Sequence, residues 1–157
     1  MLKIIEIQYL DKDGNVVWEK KDLHNMLHNG GEDFILQTVF VNPTKPDNYY
    51  FRLDARNPQV TDTIQSINGE PVSNPGYVKI AVPSSGQFQS SVPGQVMGPV
   101  LSFGATGSPY TITNLLLATS ADNNLPGVLI CTIPLGSITI AAGDRITMRM
   151  SVTLGVC

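Results

Sequence analysis

The stretch Arg145-Ile146-Thr147-Met148-Arg149-Met150-Ser151-Val152-Thr153-Leu154 decides the fold. Ile146, Met148, Met150, Val152 and Leu154 alternate with Arg145, Thr147, Arg149, Ser151 and Thr153. Successive side chains of a strand point to opposite faces, so this period of two sets one row on a core and the other in water. Strands of a parallel sheet, buried on both faces, read as unbroken apolar runs instead, and the alternation therefore predicts an antiparallel sheet with one wet face. Thr147, Arg149 and Ser151 are expected to face solvent or a partner. Just upstream, Ala142-Gly143-Asp144 reads as the turn that returns the chain from Ser137-Ile138-Thr139-Ile140.

The same chemistry recurs towards the N-terminus. Residues 128–133, 111–119 and 96–103 are further apolar, β-branched runs, and Tyr77 to Val82 alternates with Val78, Ile80 and Val82 on one face. Asn48-Tyr49-Tyr50-Phe51-Arg52-Leu53 is aromatic and strand-like. Lys3 to Leu10 and Val16 to Lys20 flank Asp11-Lys12-Asp13-Gly14-Asn15, which predicts an N-terminal β-hairpin over residues 1–22 that could project from the domain. One segment is helical in pattern. Leu27, Phe34, Ile35, Thr38 and Val39 recur near a 3.6 period, Glu32 and Asp33 suit a first turn, and Pro43 and Pro46 close it. Residues 57–64 read as a loop with one helical turn opened by Thr61 or Asp62. Residues 83–94, rich in Ser, Gly and Pro, read as an exposed, flexible loop or arm. Short strands, turns every few residues and no βαβ rhythm predict a mainly β chain. It is expected to be an antiparallel β-sandwich or jelly-roll-like barrel, with one short α-helix, in a single domain over 1–157.

The chain has 157 residues, 42% of them apolar and 15% charged, and a net charge of -3. Charged residues usually make up about a quarter of a soluble chain. A surface poor in Lys and Glu gives up less entropy and desolvates less charge when covered, which suits lasting contact with other subunits. Phosphate neutralisation dominates nucleic-acid binding, and no basic stripe exists to supply it. The longest apolar runs fall far short of the ~18 residues of a membrane span, and Glu6 interrupts the start before a leader core could form. Neither a nucleic-acid nor a membrane partner is expected. Cys131 and Cys157 show no C-x-x-C spacing; Cys131 reads as a buried structural thiol, while Cys157, the final residue, could be exposed, and a disulfide stays open.

Candidate chemical constellations are thin. His24, His28 and Glu32 follow a spacing of four and would share one face of an unbroken helix, but Gly30-Gly31 intervene, so no metal is expected. Asp11-x-Asp13-Gly14-Asn15 has its glycine in the wrong place for a calcium loop, and a hairpin turn explains each residue. Asp54, Glu70 and Asp144 are the carboxylates that could pair as in a glycosidase. Each lies beside a turn residue or an arginine, and Leu53-Asp54-Ala55-Arg56 reads as a strand end with a local ion pair. No nucleophile elbow or phosphate-binding loop occurs. The reading is of a non-enzymatic protein with no catalytic residue and no cofactor.

Asn25-Met26-Leu27-His28, Gly31-Glu32, Phe34-Ile35-Leu36 and Tyr50-Phe51-Arg52-Leu53-Asp54-Ala55-Arg56 resemble small virion proteins of tailed bacteriophages. Gly69-Glu70-Pro71 before Gly76-Tyr77, Leu116-Leu117-Ala118-Thr119-Ser120 and the segment 137–154 extend that resemblance over most of the chain from Asn25 onward. The family resembled includes head decoration, or cement, proteins. The resemblance implies a β-rich trimer on the virion's capsid surface, assembled in the host cytoplasm and binding the major capsid protein or other virion proteins. Contact is then expected from the hairpin turn (Asp11, Asp13, Asn15) and from the 83–94 loop (Gln87, Phe88, Gln89, Val92). Two other readings stand beside it: a neck, tail or fibre component, and a carbohydrate-binding sandwich with Trp18, Tyr49, Tyr50 and Tyr110 as its sugar platform.

Overall fold

The computed structural model describes residues 2–153; Leu154 and Cys157 lie outside the described residues. Its strands are β1 (Leu2–Leu10), β2 (Val16–His24), β3 (Met26–Leu27), β4 (Asn48–Asp54), β5 (Ile80–Pro83), β6 (Gln89–Val92), β7 (Gln95–Gly104), β8 (Tyr110–Ala118), β9 (Leu129–Ile140) and β10 (Arg145–Thr153). They form two five-stranded antiparallel sheets, ordered β2-β1-β10-β7-β6 and β3-β9-β8-β4-β5. Among the described residues no strand pairing joins the sheets into a closed barrel, so of the two forms the sequence left open the sandwich is the one built.

The inner faces meet in one apolar cluster. Ile7, Leu101, Phe103, Ile146, Met148 and Met150 come from the first sheet, and Phe51, Leu53, Ile112, Leu115 and Ile133 from the second. Each such side chain contributes roughly 1.5–3 kcal/mol when fully buried. Cys131 lies among them, its thiol pushed up to about 12 by burial, and it is an inert packing group.

The decisive strand behaves as its alternation requires up to Met150. Ser151, expected on the wet face, is buried even though Met150 and Val152 on either side of it both pack on the core; the pairing with β7 slips here, with the extra residue on β7. A second slip shapes the other sheet. Between Ile112↔Ile138 and Asn114↔Pro134, β9 carries extra residues, and Gly136 supplies the left-handed φ of 76° that the bulge needs. Beyond it Leu115 points inward while Asn114, Leu116 and Ala118 turn outward. Both faces of this sheet are therefore buried at its centre, which explains the unbroken run Leu115-Leu116-Leu117-Ala118.

Five local expectations change. The N-terminal hairpin forms, but β1 is paired on both sides, to β2 and β10, so the hairpin is built into the sheet and does not project. The helix α1 (Asn29–Leu36) begins at the glycine pair, winds into a π-helical turn at Gln37–Val41, and leaves Leu27 in β3. The alternation at 77–82 yields only the short β5, with Val78 68% exposed. Residues 83–94 are not an arm: β6 pairs with β7 across a tight turn. The helical turn expected at Thr61 or Asp62 starts instead after Thr63, as a 3-10 turn at Ile64–Ser66 whose opening N–H donates to Ser66 Oγ at 3.0 Å.

Candidate functional site

The densest polar chemistry lies on the outer face of the second sheet, where residues 55–79 cross it. Phe51 and Leu53 of β4 point into the core, so Arg52 and Asp54 must point out, beneath this crossing segment. Ile64 and Ile67 of the crossing pack on Leu116, Ala118 and Leu129 in a second, smaller apolar cluster. That cluster seals the face, and the charged groups beside it lose water.

Arg52 is fully buried. Its Nε donates to Glu70 Oε1 at 2.9 Å, and its Nη2 pairs with Glu70 Oε2 and donates to Asn123 Oδ1. Tyr77 Oη donates to Glu70 Oε1 at 2.7 Å and accepts the Leu53 N–H at 3.0 Å. Lys79 Nζ lies 3.3 Å from Glu70 Oε2 and donates to the Ala121 carbonyl at 2.5 Å, while Asn123 Nδ2 donates to the Ile67 carbonyl at 2.7 Å. Burial pushes the Glu70 carboxyl up, but the bonds from Arg52 and Tyr77 and the charges of Arg52 and Lys79 bring it below its ordinary range. Burial, and then the neighbouring Glu70 charge, push the Tyr77 hydroxyl well up.

A second pair lies alongside. Arg56 Nε sits 2.5 Å from Asp54 Oδ2, and its Nη1 sits 2.6 Å from Asp62 Oδ2. The first contact is an ion pair off the N–H axis, leaving Asp54 Oδ2 and Arg56 Nε without aligned hydrogen bonds. Burial accordingly wins over the Arg56 charge at Asp54 and raises its carboxyl, while bonds from Gln59 and the Arg56 charge outweigh burial at Asp62 and lower it. Gly69 is required here, since a Cβ would collide with Asp54 Oδ1, and a Cβ on Gly76 would strike the backbone of Thr106.

This arrangement is a clasp. It ties β4, the 55–79 crossing and the 120–123 loop together through paired, desolvated charges. Asp54 and Glu70 are spent in it, and Asp144, on the far side of the core, accepts from Tyr9 Oη at 2.6 Å, so the three candidate carboxylates do not converge. The local Asp54–Arg56 pair is present as the sequence suggested. Sequence reading missed Asn123, whose Asn123-Asn124 context reads only as a turn, and Asn114, which donates to the Arg56 carbonyl at 2.6 Å.

The histidine trio is likewise dispersed. His24 is exposed at the end of β2, Glu32 is exposed on α1, and His28 is buried before the helix. His28 Nδ1 faces the Gln59 carbonyl at 2.9 Å and must donate; Nε2 then accepts from Thr132 Oγ1 at 2.8 Å. Burial lowers its pKa and holds it neutral. Among the described residues no three His, Cys, Asp or Glu side chains are placed to hold a metal ion, and no helix is long and apolar enough to cross a membrane.

The expected contact residues fall into two separate places. At the Asp11–Asn15 turn, Asp11 Oδ1 accepts the N–H of Asp13 at 3.0 Å and of Asn15 at 2.8 Å, and Asn15 Nδ2 donates to Oδ2 at 3.0 Å. These bonds, those of Asn15 first, hold the exposed carboxyl below its ordinary range. This turn adjoins Leu10, paired with Arg145, while Gln89 and Val92 adjoin the opposite end of the sheet, beside Met97 and Gln95. Some eight residues of strand, ~26 Å, separate them. Gln87, Gln89 and Val92 are exposed, but Phe88 is half-buried and meets Tyr49 edge-on at 5.8 Å, so the core is its partner.

The aromatic residues do not assemble either. Tyr110 is buried against Tyr77, Tyr49 meets Phe88 and Tyr50 is half-buried. Trp18 stands apart, stacked on Tyr9 at 5.6 Å with Lys20 Nζ 5.4 Å from its ring, beside an open cleft of about 330 Å³ that Ser137 and Thr139 also line. The most exposed apolar segment is neither of these. Leu36, Val39, Phe40 and Val41, on α1 and the π-helical turn, are 55%, 63%, 78% and 70% exposed. No protein-family model matches the chain, and no curated protein sequence matches it.

Proposed function

We propose that this protein acts by contact, as a non-enzymatic structural component of a tailed-phage virion, and specifically as a head decoration protein. The observation that carries the reading is the division of its surface. Buried charges are consumed in holding the protein's own loops, whereas the most exposed apolar segment is 35–41. Exposed apolar patches of this kind mark protein–protein contact. The resemblance supplies the partner, the major capsid protein or its neighbours, and a homo-oligomer, a trimer on that ground, as the binding unit. Binding to the expanded shell and not to its precursor would stabilise the shell by mass action, without chemistry. The turn at Asp11, Asp13 and Asn15 and the exposed Gln87, Gln89 and Val92 are candidate lattice contacts at opposite ends of one sheet; Phe88 belongs to the core edge.

The test is electron cryo-microscopy of virions with and without this chain, paired with heat challenge of the particles. Density over the head, and particles that lose genome at lower temperature without it, are expected. Density at the neck, tail or fibres would move the protein to the neighbouring reading. Its absence from particles would favour the carbohydrate reading, for which the cleft beside Trp18 is the one supporting feature and a shift of Trp18 fluorescence with added sugars the measurement.

A further inference from the structure

Ile35, Leu36, Val39, Phe40 and Val41 occupy one short stretch of helix and π-helical turn beside β9, and none is buried. Together they form an apolar patch on the order of 500 Å², the size at which a patch on a monomer marks an interaction site. A standard interface takes about 800 Å² from each partner, so the patch is large enough to be the dry centre of one.

Charge indicates what covers it. From Phe34 to Thr44 the chain carries no ionisable side chain. Glu32 and Asp33 stand exposed at one end of this stretch and Lys45 at the other, and none of the three forms an ion pair among the described residues. An uncharged centre offers a foreign partner little to read in register, whereas its flanks are complementary to themselves when one copy is reversed. Asp47, also exposed, stands two residues past Lys45 and outside the paired stretch; only its backbone carbonyl is engaged, by the Ser84 N–H at 3.0 Å.

We propose that segment 35–41 is covered by the same segment of a second copy of this chain, running antiparallel about a two-fold axis, with Glu32 and Asp33 of each copy facing Lys45 of the other. A three-fold bundle of parallel segments would gather like charges at each end, so the flanks favour a pair over a trimer. The inference rests on the contact reading for the patch's significance, but it replaces the trimer that the resemblance implies with a two-fold pair, and it requires no virion partner.

Sedimentation velocity of the full chain across the micromolar range tests it. The wild-type protein is expected to be a dimer. Phe40→Asp should be a monomer with an unchanged circular dichroism spectrum, because Phe40 is largely exposed and supports no core, and with a melting temperature that no longer rises with protein concentration as the dimer's does. Lys45→Glu should weaken the dimer at least about tenfold, and adding Glu32→Lys and Asp33→Lys to it should restore association. A monomeric wild type, a trimer, a dimer indifferent to Phe40→Asp, or a triple variant no better than Lys45→Glu would each overturn the pairing. Binding of the same samples to purified phage shells separates the two ideas. A chain that never self-associates yet binds shells refutes the pairing and leaves the contact reading intact, and one that does neither refutes both.

Discussion

The outer faces of the two sheets differ more than their inner faces do. On the β3-β9-β8-β4-β5 sheet the outer face is roofed by residues 55–79 and holds Arg52, Asp54, Leu116 and Ala118 out of water. On the β2-β1-β10-β7-β6 sheet the outer face is open: Val100 is 56% exposed, Arg149 is exposed, and Glu6, Gln8 and Thr147 line only a shallow dent. The same period-two alternation therefore yields a solvated polar row in one sheet and a desolvated charge network in the other. Which outcome follows depends on whether a connection returns over the face, and a strand's own pattern does not record that.

The largest effect should come from breaking the roofed face. Arg52→Ala strands Glu70 buried without its main counter-charge, and removing one partner of a buried pair costs roughly 3–5 kcal/mol. Urea denaturation should show it. The double variant Arg52→Met, Glu70→Leu should recover most of that loss, since it removes both charges together. A loss under about 1 kcal/mol in the single variant would mean that water reaches the clasp.

This contrast also explains what was legible in sequence. Strand identities and the sandwich could be read because turns and alternation are local. The step between Pro134 and Ile138 could not, because a bulge is a property of two strands' register and only one strand is visible at a time. Gly69, Glu70, Gly76 and Tyr77 were noticed through a resemblance, yet their role became visible only with Arg52 beneath them, eighteen residues from Glu70 in the chain. The helical period through Phe34, Ile35, Thr38 and Val39 reads correctly as helix, but no described residue covers Ile35 and Val39, which stand exposed.

A smaller effect is expected from His28, at the margin of the roofed face. Its folded pKa lies below the ordinary 6.5 because burial opposes its charge. The unfolded chain thus takes up a proton that the folded chain resists, and stability is complete above pH 6.5 and declines as pH falls from there towards the lowered folded value. Asp62 raises that value and Arg56 lowers it. Melting temperature against pH should fall over that window in the wild type and stay flatter in His28→Gln, which retains polar groups for Gln59 and Thr132. The wild-type slope persisting in His28→Gln would assign it to another group.

The smallest effect belongs to the open face, and it is the sharper test of the comparison because it predicts near silence. Arg149 follows Met148 in the same strand, but its side chain stands in water, opposite Glu6 in the pairing with β1. Opposite charges on an exposed sheet face contribute a few tenths to about 1 kcal/mol and are screened by salt. Lys21, 3.9 Å from Glu6, remains to answer the carboxylate when Arg149 is gone. Arg149→Ala should therefore change unfolding free energy by no more than about 0.5 kcal/mol, with even that difference shrinking at high salt. Equal denaturation midpoints at low and high ionic strength would place this side chain where the open face puts it. A loss of 2 kcal/mol or more, on the scale of a buried position, would mean that something covers this sheet too, and the contrast between the two faces would have to be withdrawn.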